Sequence, residues 1–62
     1  MINAIVRDTL RKNGVYQWQL ASSIGVSEVK LSRMLKNELP IEKQFELVGK
    51  IQEIVKERDQ DE

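Results

Sequence analysis

The sequence predicts an all-α fold, a compact four- to five-helix bundle, on three observations. Apolar residues recur at three- and four-residue spacing through most of the chain. No stretch alternates as a half-buried strand does. Gly14, Gly25 and Pro40 divide the chain into pieces of ordinary helix length.

Each element follows in turn. Ile2, Ile5, Val6 and Leu10 recur at helical spacing and predict a first helix over about residues 2–12. Asn13-Gly14 stops it, because glycine takes the left-handed conformation after a helix at no steric cost. A second helix fits 17–24 with Leu20, Ala21 and Ile24 inward, and Gly25 ends it. Ser27 is a good N-cap for a third helix over about 28–36, which buries Leu31, Met34 and Leu35. Asn37-Glu38-Leu39-Pro40 is a connector, and Pro40 suits the first turn of the next helix. From Ile41 to about Glu57 the apolar set Ile41, Phe45, Leu47, Val48, Ile51, Ile54 and Val55 is helical again, with a break expected near Gly49. Residues 1–57 form one domain and the acidic tail 58–62 frays.

Composition removes whole classes of function. A chain of 62 residues buries only about 60% of its unfolded surface and leaves no room for a walled cleft. It has no cysteine and no histidine, so neither a disulfide, a thiolate metal site nor an imidazole acid–base is available. No nucleophile pairs with a base, and no glycine-rich phosphate loop is present. No enzyme, cofactor, metal or small-molecule ligand is expected. Nothing resembles a signal peptide or a membrane span, so a soluble, cytoplasmic protein is expected.

The net charge of zero conceals a division. Residues 1–37 carry six basic and two acidic side chains, whereas residues 38–62 carry four basic and eight acidic. Such asymmetry suits a basic face toward a polyanion, or two differently decorated solvated surfaces.

Residues 17–36 have the spacing of a helix-turn-helix. Two short helices held at a sharp angle need a small residue where they cross, glycine in the turn and apolar residues fixing both to the body. Counting from Gln17, those slots hold Leu20, Ala21, Ile24, Gly25, Val26, Leu31 and Met34. No proline or charge interrupts them.

The run from Gly14 to Leu35 resembles the Cro/repressor-type family of helix-turn-helix proteins, also called lambda-repressor-like or XRE-like. It reads similarly to small Firmicutes mobile-element regulators through Trp18-Gln19-Leu20-Ala21, Leu31-Ser32-Arg33 and Glu38-Leu39-Pro40. The resemblance implies a helical bundle that binds double-stranded operator DNA, usually as a symmetric dimer. It also implies a phosphate contact for Gln17, which leads the second helix. This chain departs from the family at Tyr16, where threonine or serine usually caps that helix.

Around the third helix Leu31, Met34 and Leu35 face inward. Glu28, Val29, Ser32 and Arg33 fall on the opposite side and are the candidate base-contacting residues. The Arg33 fork can bond both O6 and N7 of guanine, Glu28 can accept from a cytosine amino group, and Val29 can pack on a thymine methyl. Gln17, Ser27, Lys30, Lys36 and Asn37 are the candidate DNA backbone contacts, which position without specifying. An ordinary solvated helix face is the plainer alternative for each. Trp18 either packs against Leu39-Pro40 or donates to a phosphate, and packing is the favoured expectation.

The last helix carries more apolar surface than a small domain needs. Leu47, Ile51 and Ile54 are either deep in the core or a dimer contact. A homodimer would set two reading helices about 34 Å apart on an inverted-repeat operator. The expected function is a sequence-specific transcriptional regulator of phage or mobile-element type, a repressor in preference to an activator. The alternatives are an accessory factor shaping DNA for excision or recombination, and a protein-interaction module such as an antitoxin or anti-repressor.

Overall fold

Four helices form where the apolar spacing places them. The structure, a computed structural model, describes residues 2–60, with side chains through Arg58. Helix α1 is Ala4–Asn13, α2 Gln17–Ile24, α3 Glu28–Met34 and α4 Ile41–Gln60, and no strand occurs among the described residues. None of these helices is long and apolar enough to cross a membrane.

The first two helices end alike. Gly14 and Gly25 take left-handed φ values of 63° and 77°. Beyond each, a valine N–H reaches back over the turn: Val15 donates to the Leu10 carbonyl at 2.9 Å, and Val26 to that of Ala21 at 3.0 Å. These paired bonds satisfy orphan carbonyls and fold an apolar residue back against the helix it leaves. Val15 is accordingly buried, a core position that the periodicity did not single out.

The core comprises Val6, Leu10, Val15, Leu20, Ala21, Leu31, Leu35, Leu47 and Ile51, with Ile24, Val26, Leu39, Ile54 and Val55 packed against it. Helix α4 lies against both α1 and α2, and α2 lies on α3. At 1.5 Å per residue the 20 residues of α4 span about 30 Å and set the long axis of a 36 × 20 × 17 Å molecule.

Several expectations are corrected. Helix α1 begins at Ala4, because Asn3 adopts a left-handed φ of 55° and turns the chain, leaving Ile2 exposed. Helix α3 stops at Met34, short of Lys36. Helix α4 runs unbroken through Gly49, so there is no fifth helix, and it continues past Glu57 to Gln60. Arg58, expected in a frayed tail, donates from Nη2 to the Asn13 carbonyl at 3.0 Å and ties α4 to the end of α1. Asp61 and Glu62 lie outside the described residues. Leu47 and Ile51 are buried within the chain and offer no surface to a second copy, while Ile54 is half-buried. The exposed apolar residues of α4 are instead Ile41 and Phe45.

A polar network, invisible in the apolar pattern, closes the bundle. Asn3 is fully buried. Its Nδ2 donates to the carbonyls of Leu35 and Asn37, both at 3.0 Å, and its Oδ1 accepts the Leu39 N–H at 2.8 Å. The Asn3 N–H donates to Glu38 Oε2 at 3.0 Å, and that oxygen also accepts Gln44 Nε2 at 2.7 Å. Gln44, buried on the inner side of α4, donates to the Leu39 carbonyl as well, at 2.9 Å.

Replacing Asn3 by alanine strands the Leu39 N–H and puts a Cβ without local hydrogen bonds at a left-handed position. Asn3→Ala is expected to destabilise the fold by about 2–4 kcal/mol in urea unfolding. A loss below about 0.5 kcal/mol, within the range of ordinary surface substitutions, would show the network to be dispensable.

Candidate nucleic-acid interface

The candidate surface is built around α3, a helix of only 7 residues that cannot hold itself together. Its start is fixed by Ser27, whose Oγ accepts the Lys30 N–H at 3.1 Å. Glu28 in the first turn complements the positive end of the helix. Its inner side is held by Leu31 and Leu35, both fully buried. At its far end the Leu35 carbonyl accepts from Asn3 Nδ2 and, at 3.2 Å, from Arg7 Nη2. Core packing and capping thus position α3 without a hydrogen bond from the side chains of its outer face.

Helix α2 is anchored differently. The Tyr16 phenol makes no cap bond, as the absence of a short hydroxyl predicts. Gln19 Oε1 instead accepts the Tyr16 N–H at 2.9 Å, so half of a capping box is present. That leaves the Gln17 side chain at the helix start, half-buried and turned toward α3.

Gln17, Glu28, Val29, Ser32, Arg33 and Lys36 together line one shallow groove of about 350 Å³. All four candidate base-contacting residues are in it, together with two of the five candidate backbone contacts. Val29 is 62% exposed, and an aliphatic side chain so placed contributes little to the core. The groove holds two cations and one carboxylate. Among the described residues the ion pairs are Arg11–Asp8, Lys43–Glu46 and Lys50–Glu53, so neither Arg33 nor Lys36 is engaged by a carboxylate.

The other three candidates are placed elsewhere. Lys30 is on the α4 side of α3, in a separate hollow of about 410 Å³ that it shares with Met34, Lys43, Leu47 and Lys50. Ser27 uses its oxygen in the cap, leaving only its O–H to donate. Asn37 gives its main-chain carbonyl to Asn3, and its side chain is exposed outside the groove.

Gln17 also borders a second, shallower depression of about 260 Å³ lined by Arg7, Leu10, Arg11, Val15 and Tyr16. The grooved surface therefore continues from α3 across the start of α2 to α1, where Arg11 is paired with Asp8 at 2.7 Å. Arg7 is partly committed there, its Nε donating to the Ile2 carbonyl at 3.1 Å. Arg7 and Arg11 lie outside the 17–36 motif, and only their charge marks them in the sequence.

Trp18 is 56% exposed, which does not support the expected packing beneath the connector. It is about 120° around α2 from the centre of the buried side formed by Leu20, Ala21 and Ile24. What the fold and groove define is an all-α four-helix protein with a polar, net-basic groove on its shortest helix. The chain matches no family model, no curated protein and no solved structure.

Trp18→Ala is expected to cost less than about 1 kcal/mol in urea unfolding, against roughly 3–5 kcal/mol for removing a buried tryptophan. A loss in the latter range would return Trp18 to a packing role.

Proposed function

We propose that this chain is a sequence-specific double-stranded DNA-binding regulator in which α2, Gly25 and α3 act as a helix-turn-helix of the Cro/repressor type. One observation carries the reading. The four residues that chemistry nominates for base contact line a single groove with Lys36 and with Gln17 of α2, and its cations form no ion pair among the described residues.

In this reading α3 enters the major groove. Arg33 bonds guanine through two parallel N–H groups, Val29 packs on a thymine methyl, and Ser32 bonds either base type. Glu28 accepts from a cytosine amino group and penalises other bases. Gln17 and Lys36 hold the phosphates on either side. Occupancy of an operator by such a module suffices to block transcription, and repression is the regulatory sense we assign.

Selection of bound sites from random duplexes tests the proposal. The wild-type chain is expected to enrich a defined sequence, with affinity falling steeply as salt rises because phosphate neutralisation releases counterions. Arg33→Ala is expected to lose preference at one base pair per bound copy, by about 1–3 kcal/mol or roughly 5- to 150-fold. Binding that is insensitive to salt, with no sequence enriched, would overturn the reading in favour of a protein-interaction module.

A further inference from the structure

The hollow between α3 and α4 has a composition that neither the core nor the α3 groove explains. Its floor is apolar: Ile24, Val26 and Met34 are only half-buried there, and Leu47 lies beneath. Its rim is cationic, with Lys30 of α3 on one side and Lys43 and Lys50 of α4 on the other. Lys30 has no carboxylate partner among the described residues. Lys43 and Lys50 pair only with exposed carboxylates one turn away, and such pairs contribute so little that a better-placed acid displaces them.

We propose that this hollow docks an acidic amphipathic helix of a partner protein, its apolar residues on the floor and its carboxylates on the lysine rim. The spacing of the rim defines the occupant. Lys43 and Lys50 are seven residues apart, on one side of α4 and about 10.5 Å apart along its axis. A helix lying alongside meets both with acids at positions i and i+7, and turns apolar residues at i+3 and i+4 to the floor. Glu46 is on the same rim between the two lysines and repels an acid placed midway, where the occupant is apolar. At about 410 Å³ the hollow has room for two leucine-sized side chains.

Other occupants match less of it. A phosphate backbone supplies charge but nothing for the floor. A single small carboxylate leaves most of the rim unmet. Lys30 is about 130° around α3 from the centre of the groove side formed by Glu28, Val29, Ser32 and Arg33, so a docked helix leaves that side open. The proposal stands on the hollow alone and does not depend on the DNA reading of α3.

Titration of the isotope-labelled full chain with a synthetic peptide, followed through its amide NMR spectrum, tests it. The probe is an end-blocked, alanine-based helix with two glutamates seven positions apart and two adjacent leucines between them. Shifts are expected to be largest at Ile24, Val26, Met34 and Leu47 and small at Val29 and Ser32. Exchanging the leucines for alanine, or the glutamates for glutamine, is expected to weaken binding several-fold, with the protein itself untouched. Lys30→Glu, at an exposed position, is expected to weaken it about tenfold with the melting temperature unchanged. No shift at millimolar peptide overturns the proposal. So does equal binding of the leucine-free peptide, which would reduce the hollow to a patch of cations. A random-sequence DNA duplex that shifts the hollow residues more than Val29 and Ser32 would assign the lysines to phosphate and overturns it as well.

Discussion

The bundle depends on the burial of one asparagine. Helices α1 and α3 share no extensive packing, since the substantial helix contacts are α1 with α4, α2 with α3 and α2 with α4. What joins the start of α1 to the end of α3 is chiefly Asn3, which binds Leu35, Asn37 and Leu39 through its side chain, with one further bond from Arg7 to the Leu35 carbonyl. The segment from residue 35 to 40 has no helix ladder of its own to satisfy those groups. A buried main-chain polar group without a partner costs more than a hydrogen bond gains, so the connector is stable only where Asn3 meets it. The left-handed φ of Asn3 aims its amide at three partners at once, and asparagine is among the few side chains that tolerate that conformation.

This arrangement separates stability from recognition. The groove side chains on α3 form none of the bonds that fix α3, and the residues that fix it are Ser27, Leu31, Leu35, Asn3 and Arg7. A helix this short would otherwise be a poor platform, because side chains must be held within a fraction of an ångström to discriminate bases. Here both of its ends are pinned, one by a cap and the other by the N-terminal segment. The outer face can change its chemistry with little effect on the core beneath it.

The sequence made the helices legible where periodicity and glycine act locally, and it failed where long-range geometry decides. Gly14 and Gly25 end α1 and α2 as expected, because the left-handed turn after a helix is a property of a few residues. The outer face of α3 was legible for the same reason, since Leu31 and Leu35 leave only one side free. Helix α4 was not. Its apolar residues cover half the circumference, and nothing local says whether Leu47 and Ile51 or Ile41 and Phe45 turn inward. The direction from which α1 and α2 approach settles that. Gln44 held a readable clue: a polar residue seven positions before Ile51, on the inner side of α4. Asn3 offered none, because an asparagine before a helix reads as solvated. Lys30, at the flank of α3, borders a hollow with α4 residues that no local pattern in the sequence foretells.

The neutral chain shows why formal charge is a weak guide to a polyanion partner. Fields from exposed charges fade within about 8 Å at physiological ionic strength, so a ligand responds to the groove it enters and not to the sum over the molecule. Two of the lysines on α4 are occupied by carboxylates one turn away, through Lys43–Glu46 at 3.2 Å and Lys50–Glu53 at 3.7 Å. Such exposed pairs contribute little stability. Their effect is to quieten the charge of α4 locally, while the groove on α3 keeps its cations without a carboxylate partner. Neutrality overall and a basic face on α3 are therefore compatible, because the chain cancels its charges on one helix and leaves them uncancelled on another.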